Sequence, residues 1–340
     1  MRQKVATIQD VARLSGVSTA TVSRALSHPD RVAEPTREAV LRAVRETGYV
    51  ANPMARNLRR RRTGSILALV PNLANPFFSE ILSGLASVLT PAGYGLLIAD
   101  THTDPAGRLT YYLESGLADG VVVFDGTLPE EALATRRRPP VILACEWMGE
   151  TLPSVRVDNA AGAEIAIRHL HEMGHRRIGH AMGPAGNVLT ESRLAGARRA
   201  LEALGLPLRE DWIFRGDFGL ASGSAAAMTW LGLKERPTAV FCASDETACG
   251  FMGALQHAGI SVPSEVSVVG FDDIEVAAHL VPPLTTIRQP RRQIGRRAGE
   301  LLSAMIEARA LGGPSELLPV ELIRRQSVAP PPPPCQGDLP

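Results

Sequence analysis

The chain has 340 residues, of which 45% are hydrophobic and only 4% aromatic, and its formal net charge is +1. This composition is typical of a soluble globular protein with more than one domain, and no apolar run predicts a signal peptide or a membrane span. The four cysteines are too scattered for a disulfide framework, so we expect a cytoplasmic protein with reduced thiols.

Charge is distributed unevenly along the chain. Residues 1–62 contain 13 of the 36 Lys and Arg residues but only 5 of the 35 Asp and Glu residues, so the rest of the chain is net acidic. A basic first segment on an acidic body indicates a protein that binds a polyanion with one part and does something else with the larger part.

Residues 7–26 predict two short helices around a tight turn. Thr7 and Asp10 have the spacing of an N-terminal capping box, Gly16 should end the first helix, and Ser18 can cap the second. Such a pair fits a helix-turn-helix, whose second helix enters the major groove, or an ordinary helical hairpin with a solvated face. The outward face of the second helix would carry Thr19, Ala20, Thr21, Ser23 and Arg24.

The next segment predicts a third helix from Pro35 to Thr47, which Gly48 ends. Asn52 and Pro53 can begin a fourth helix, but one so short should fold only against a partner. Five of the seven residues 56–62 are arginines, which favours contact with a phosphate backbone over a solvated basic linker.

Residues 5–64 resemble the headpiece and hinge of the lactose-repressor family of bacterial transcription regulators, and especially its cytidine-repressor branch. The similarity rests on Val-Ser-Thr-Ala-Thr-Val-Ser-Arg-Ala-Leu at 17–26 and Pro-Met-Ala-Arg-Asn-Leu-Arg-Arg at 53–60, and it continues through almost all of the chain. It implies that Leu58 is a wedge inserted between base pairs in the minor groove. The implied DNA-contacting residues are Thr7, Ser18, Thr19, Ala20, Thr21, Ser23, Arg24, Asn52, Ala55, Leu58 and Arg59.

From Ser65 onward, short apolar runs alternate with helical patterns, and the same alternation restarts after Asp158. This predicts two doubly wound units with parallel sheets. The expected strands are 65–70, 95–99, 120–124, 141–145, 178–182, 239–242 and 266–270, and the expected helices lie near 77–89, 105–115, 160–173, 191–204 and 246–258. Three late segments, 284–287, 291–308 and about 317–323, should cross back to the first unit, as the resemblance implies.

The predicted fold class is therefore α/β, with a three-helix headpiece before two subdomains of periplasmic-binding-protein type. The expected parts are the headpiece 1–50, a hinge helix with basic linker 51–63, an effector-binding and dimerisation domain 64–328, and a proline-rich tail 329–340. Within the large domain, the N-subdomain should comprise about 64–158 and 291–328, and the C-subdomain about 159–290.

Aromatic and polar residues follow several predicted strands, where ligands of doubly wound sheets bind. Rings that sandwich a flat ligand, with carboxylates and amides that bond its hydroxyls, predict a polyol or nucleoside site. Taken singly, Phe77 or Phe78 could be core and Asp272 could cap a helix. The resemblance implies a ribose-type pocket, although Ser244 and Cys145 stand where Asn and Asp are common. The candidates are Asn75, Phe77, Phe78, Glu146, Arg193, Phe218, Ser244, Asp272 and Gln289.

The segment His171-Glu-Met-Gly-His175 matches the H-E-x-x-H zinc pattern. We reject a zinc site because Gly174 should end the helix and direct His175 elsewhere, and we expect His169 and His175 to face solvent. We expect neither a metal nor a cofactor, and no nucleophile elbow, Walker loop or dinucleotide fingerprint indicates an enzyme.

These features predict a homodimeric regulator, of the repressor type, that binds a palindromic operator and is controlled by a small effector in its cleft. A nucleoside is the favoured effector, with a pentose or another sugar as the alternative and a nucleoside- or sugar-processing enzyme as the less favoured function. A dimer is expected rather than a tetramer, because residues 330–334 are all proline and no leucine heptads are present.

Overall fold

The computed structural model describes residues 6–49, 62–102, 111–113, 116–128, 133, 138–149 and 151–332. The chain divides into two compact units, Met1–Thr63 and Gly64–Pro340. Among the described residues, no helix combines the length and the apolar character needed to cross a bilayer.

In the described part of the first unit there are three α-helices, α1 (Ile8–Ser15), α2 (Thr19–Ser27) and α3 (Glu34–Thr47), with a 3₁₀ turn at Pro29–Arg31. One small apolar cluster joins them, and a core of this size makes each buried side chain important for stability. Its buried members are Val11, Ala12, Val22, Ala25, Val40 and Ala43.

Local interactions explain the helix ends of this unit. The Asp10 carboxylate accepts hydrogen bonds from the backbone N–H and the hydroxyl of Thr7, at 3.0 and 2.8 Å. The Ser18 hydroxyl accepts from the backbone N–H of Thr21 at 3.1 Å, so Ser18 caps α2 as predicted. Gly16 and Gly48 end α1 and α3 with positive φ, a conformation that glycine adopts without a steric cost.

The second unit contains two six-stranded sheets. In chain order the strands are β1 (Ser65–Val70), β2 (Gly95–Asp100), β3 (Gly120–Val123), β4 (Val141–Ala144), β5 (Ser154–Val157), β6 (Ile178–Ala181), β7 (Ile213–Phe214), β8 (Ala239–Cys242), β9 (Ser267–Asp272), β10 (Thr285–Arg288), β11 (Glu316–Leu318) and β12 (Glu321–Ile323). The first sheet has the order β11-β5-β4-β3-β1-β2 and the second β12-β10-β9-β8-β6-β7. Every described pairing is parallel except that of β10 with β12. The predicted pair of doubly wound units is thereby confirmed.

The helices of this unit cover both sheets. Among the described residues they include α4 (Phe77–Leu89), α5 (Asn159–Glu172), α6 (Val188–Ala203), α7 (Leu220–Gly232), α8 (Asp245–His257) and α9 (Arg291–Ala308), with 3₁₀ turns at Glu210–Trp212 and Glu275–Ala278. The backbones of α4 and α9 touch, because a Cβ atom on Gly84 would lie 2.1 Å from the carbonyl oxygen of Arg292. This contact places α9 firmly on the first subdomain.

The end of the chain departs from the prediction. Residues 291–328 were assigned to the first subdomain, but only α9 and β11 join it, and β12 returns to the second sheet beside β10. The prediction is wrong after Leu318 because one apolar run was interpreted as one strand. Pro319 interrupts that run, and a residue without a backbone N–H separates two three-residue strands that belong to different sheets.

Three elements were not predicted. The strands β5 and β7 are short, and β5 has Arg156 in its middle. Helix α7 is rich in Gly, Ala and Ser and therefore has no clear apolar periodicity. The helix predicted near 105–115 falls mostly outside the described residues.

Candidate functional site

The second unit contains a cavity of about 460 Å³ that is lined by residues of both subdomains. This volume is within the range of small-molecule sites. Eight of the nine predicted effector residues line it, namely Asn75, Phe77, Phe78, Glu146, Arg193, Phe218, Ser244 and Asp272. The ninth, Gln289, is not among the lining residues, but its side-chain amide donates to the Asp272 carboxylate at 2.7 Å.

Arg193 is the most buried charged group of the cavity, with 2% of its surface exposed. Its Nε donates to the side-chain oxygen of Asn159 at 2.9 Å, and its Nη1 donates to the backbone carbonyl of Ala243. The guanidinium also stacks on Phe271, with 3.8 Å between its central carbon and the ring centroid. These contacts fix the orientation of Arg193 while its other terminal nitrogen, Nη2, lies 3.9 Å from Asp272.

Asp272 ends β9 and is 6% exposed. Burial raises the pKa of its carboxyl to about 6, against the opposing effects of Arg193 and of the hydrogen bond from Gln289. Burial also lowers the pKa of Arg193, which nevertheless remains charged at neutral pH. The wall of the cavity formed by the second subdomain therefore presents Asp272 as an acceptor and Arg193 as a donor, both held in place and suited to bind hydroxyl groups.

Glu146 connects the two walls of the cavity. One carboxylate oxygen accepts from the backbone N–H of Gly126 at 2.6 Å, and the other accepts from the side-chain amide of Asn187 at 3.0 Å. Asn187 also caps α6 through its side-chain oxygen, which accepts from the N–H groups of Leu189 and Thr190. Burial raises the pKa of Glu146. This hydrogen bond between the subdomains is one that effector binding must either keep or replace.

Four phenylalanines shape the apolar surface of the cavity. Phe77 and Phe78 begin α4, and their ring centroids are 5.1 Å apart in an edge-to-face arrangement. Phe124 meets Phe78 in the same way at 5.9 Å, and Phe218 lies on the other wall. The alternative that Phe77 or Phe78 is a core residue is confirmed, because both are buried in the apolar cluster, and both also line the cavity.

The backbone is strained around this cavity. Among the described residues, five non-glycine residues have positive φ, and three of them, Cys145, Phe218 and Asp272, line the cavity with φ of 70°, 70° and 121°. Ser244 holds the Phe218 loop, since its hydroxyl donates to the Phe218 carbonyl at 2.7 Å while it caps α8. Such conformations persist only where surrounding contacts enforce them, and they concentrate at functional sites.

Several lining residues were missed by the sequence analysis. Asp125 directly follows the predicted strand 120–124 and accepts hydrogen bonds from the hydroxyls of Thr101 and Thr127, both at 2.5 Å. The strand-end rule that found Glu146 would also have found Asp125. Asn187 had a weaker signal, as a possible cap before an apolar-periodic segment.

The H-E-x-x-H segment has a structural role. Helix α5 ends at Glu172, and Gly174 has a φ of 101°, so the predicted helix end beside Gly174 is confirmed. The prediction that His169 and His175 face solvent is wrong, since they are 6% and 0% exposed. Within the described ranges, no group of His, Cys, Asp and Glu side chains could hold a metal ion.

Long-range contacts explain the burial of His175. Its Nε2–H donates to the carbonyl of Ala329 at 2.9 Å, and its Nδ1 lies 2.9 Å from the Thr238 hydroxyl. Burial lowers the pKa of His175 to about 4, so the ring is neutral at pH 7. It therefore anchors the start of the C-terminal tail to the second subdomain.

The predicted DNA-contacting residues of the headpiece are mostly exposed. Ser18, Thr19, Ala20 and Arg24 are exposed, as is Thr7 before α1, whereas Thr21 and Ser23 are half-buried. Val22 and Ala25 occupy the opposite, buried face of α2. The four predicted hinge residues, Asn52, Ala55, Leu58 and Arg59, lie outside the described residues.

Two family models match this chain. A model of the lacI family of bacterial regulatory proteins matches residues 7–52, and a model of a periplasmic binding protein-like domain matches residues 167–328. The first match covers the three-helix unit, and the second covers most of the second subdomain and the crossing segments.

Known proteins resemble between 78% and 96% of the chain. The HTH-type transcriptional repressor CytR of Escherichia coli K12 is 40% identical over 331 residues, which cover 96% of this chain and 97% of that protein. The lac repressor dimer bound to operator and the anti-inducer ONPF has a TM-score of 0.84 and 27% identity, covering 96% of this chain and 100% of that chain. A LacI family regulator from Enterococcus faecium with bound ribose has a TM-score of 0.72 and 26% identity, covering 78% of this chain and 99% of that chain.

Proposed function

The chain belongs to the lacI family of bacterial regulatory proteins, and we propose that it represses transcription from a palindromic operator under the control of a nucleoside bound in its cleft. It is a DNA-binding transcriptional regulator, as the helix-turn-helix and the repressor relatives establish. The nucleoside, the residues that bind it and the assembly of this chain are the new part of the proposal. A cytoplasmic location agrees with a bacterial DNA target.

One observation supports the effector class most strongly, the buried pair of Arg193 and Asp272 facing aromatic walls. Their 3.9 Å separation leaves a donor and an acceptor available to the same pair of vicinal hydroxyls. Phe77, Phe78 and Phe218 supply flat apolar surface for a ring system. A ribonucleoside combines both requirements, and the resemblance to the cytidine-repressor branch supports the same class.

A free pentose is the second candidate, and the ribose-bound regulator from Enterococcus faecium favours it. The two effectors differ in whether a base occupies the apolar part of the cavity. We assign no catalytic role to the cleft, because the thiol that lines it, Cys145, is a poor nucleophile. Burial raises the pKa of the Cys145 thiol far above neutrality, which leaves almost no thiolate.

The effector proposal is tested by calorimetry with cytidine, 2′-deoxycytidine, cytosine and D-ribose on the parent and on Asp272→Ala. Cytidine should bind most tightly, because losing a hydroxyl leaves buried polar groups unpaired. At a hundred times its dissociation constant it should add about 2.7 kcal/mol to the free energy of unfolding. Ribose binding as tightly as cytidine would establish the sugar alternative, and unchanged cytidine affinity in Asp272→Ala would remove that residue from the site.

On the DNA side, we propose that the first turn of α2 meets base edges and that the arginines after Leu58 meet phosphates. Changing Ala20 should alter the preferred operator sequence, whereas changing Arg59–Arg62 should weaken all sequences and flatten the salt dependence. Leu58→Ala should reduce bending of the operator and leave effector affinity intact. Parental bending by Leu58→Ala would refute the wedge.

The proposed assembly is a homodimer, because two-fold pairing presents two headpieces to a palindrome. The lac repressor in its operator complex is described as a dimer. In this chain the edge strand β2 exposes Leu97 and Ile98, apolar side chains that a second copy could cover. Sedimentation at micromolar concentration should give a dimer, and a stable tetramer would contradict the proposal.

A further inference from the structure

We propose that Asp273 is a positioning residue that couples occupancy of the cleft to the segments crossing between the two subdomains. The inference rests on the proposed effector control, since it describes how the site is connected to the rest of the body. It concerns the residue next to Asp272 rather than a residue that touches the effector.

Asp273 collects three guanidinium groups. Its two carboxylate oxygens accept from Arg288 Nε and from Arg325 Nη2, each at 2.7 Å. Its backbone carbonyl accepts from Arg291 Nη2 at 3.0 Å. The Asp273 side chain is only 9% exposed, so these ion pairs are partly shielded from water.

The three arginines flank the places where the chain changes subdomain. Arg288 ends β10 in the second sheet, and Arg291 begins α9, which packs on the first subdomain. Between them lies Gln289, the residue that donates to the Asp272 carboxylate. Arg325 follows the second crossing, where the chain passes from β11 to β12. One residue thus contacts two of the segments that must bend when the subdomains rotate against each other, through its carboxylate and its backbone carbonyl.

Arg291 extends this cluster to the opposite wall of the cavity. Its Nη1 donates to the backbone carbonyl of Phe77 at 3.4 Å, while its Nη2 holds Asp273. Phe77 belongs to the first subdomain and lines the cavity. The Asp273 cluster therefore contacts both walls of the site without lining it.

The backbone at this point is also constrained. Asp272 and Asp273 have φ of 121° and 55°, which non-glycine residues rarely adopt. The bonds to Arg288 and Arg325 hold the second of these residues and so fix the direction in which the Asp272 carboxylate points. Loss of those bonds frees Asp273 to relax and leaves the bond from Gln289 as the remaining side-chain link between Asp272 and the crossing segments described above.

The test compares Asp273→Asn and Arg325→Gln with a matched control, Asp211→Asn. Both carboxylate oxygens of Asp211 likewise accept hydrogen bonds, here from the single residue Arg209 at 2.9 and 2.6 Å. Asp211 lies on the surface and is not part of the cavity. Operator affinity is measured with and without saturating cytidine, using an operator selected from a random DNA library. The ratio of the two dissociation constants is the coupling, typically about 5 to 150 in allosteric proteins.

We expect the ratio to fall toward 1 in Asp273→Asn and in Arg325→Gln and to keep its parental value in Asp211→Asn. The double variant should be no worse than Asp273→Asn, because Asp273→Asn already removes the ion pair with Arg325. A merely structural role would lower the melting temperature and leave the ratio unchanged. A parental ratio in both Asp273→Asn and Arg325→Gln overturns the inference.

A second measurement uses protein without effector and therefore remains decisive if cytidine fails to bind the parent. Hydrogen exchange in residues 284–291 and 321–327 should accelerate together in Asp273→Asn and in neither segment in Asp211→Asn. Unchanged exchange in both segments refutes the role of Asp273. Failure of cytidine to bind the parent, by contrast, counts against the nucleoside proposal alone.

Discussion

In the headpiece, the residues proposed to touch DNA lie within or beside two short helices and are mostly exposed. In the body, the residues proposed to touch the effector are mostly buried and come from stretches as far apart as Phe77 and Asp272. The side-chain hydrogen bonds described in the headpiece join residues within four positions along the chain, such as the cap of Ser18 on Thr21. The charged cavity residues depend on more distant partners, such as Asn159 for Arg193 and Asn187 for Glu146.

This difference determines how mutations should act. The headpiece core has six buried members, so a change there should affect DNA binding while the effector site stays intact. The body has three large apolar clusters, and its polar site is built on them. Variants that change DNA binding or effector binding alone support this difference between headpiece and body, and variants that impair both would contradict it.

The largest effect is expected for Arg193→Ala. Asp272, Asn159 and the Ala243 carbonyl lose their partner, and removing one member of a buried ion pair costs about 3–5 kcal/mol. Urea unfolding of the body should show this loss, and calorimetry should show no nucleoside binding. A headpiece that unfolds earlier in this variant would contradict the independence of the two units.

Asp272→Asn tests the electrostatics of the site. Because burial raises the pKa of Asp272 to about 6, the carboxylate becomes protonated as the pH falls through that value. If the ionised form binds the effector hydroxyls, parental affinity should fall roughly tenfold between pH 7.5 and pH 5. Calorimetry on Asp272→Asn should give a weaker affinity that is flat over the same range.

The same residue should change folding stability in the opposite direction. A carboxyl group whose pKa is higher in the folded state than in the unfolded state destabilises the fold when ionised, and the cost disappears as the pH falls from about 6 to about 4. Without effector, the parent should therefore gain stability relative to Asp272→Asn over that window. A loss of relative stability in urea unfolding would show that the pKa is lowered instead.

Val22→Ala tests the small core of the headpiece. Val22 is fully buried, and the lost methyl groups should cost about 2 kcal/mol. A unit with so small a core should then be partly unfolded without DNA, and operator affinity should fall while nucleoside affinity remains parental. Circular dichroism checks the partial unfolding of the headpiece, and calorimetry checks the nucleoside affinity. Parallel losses of operator affinity and nucleoside affinity would contradict this expectation.

The smallest effect is expected for Ser18→Ala, which removes the cap of α2 at a cost of about 1 kcal/mol. Ser18→Asp is the matched control, since a carboxylate can still cap the helix but would repel DNA phosphates. The melting temperature of the headpiece should therefore be lowered only in Ser18→Ala, whereas operator affinity should be lowered in both variants. Parental DNA binding by Ser18→Asp would place Ser18 away from the phosphate backbone.

The strand and helix boundaries show how far local patterns reach. The apolar runs predicted β1 and β8 with their observed bounds, and α4 and α9 likewise begin and end where predicted. Helix α7 was missed because its small residues carry no periodic signal, and β12 was assigned to the wrong sheet. A strand pattern specifies that a segment is extended and buried, but it does not specify which neighbour the strand pairs with.

By itself, the sequence determined the helix-turn-helix, the alternation of strands and helices, and the strand ends that supply the cavity residues. These features depend on hydrogen bonds and apolar periodicity over a few residues, so they can be recognised locally. Only the tertiary structure decided that Asn159 orients Arg193, that Glu146 reaches Asn187, that His175 is buried and that three arginines meet at Asp273. Those contacts join residues up to 154 positions apart, and their energies depend on burial and geometry that only long-range packing creates.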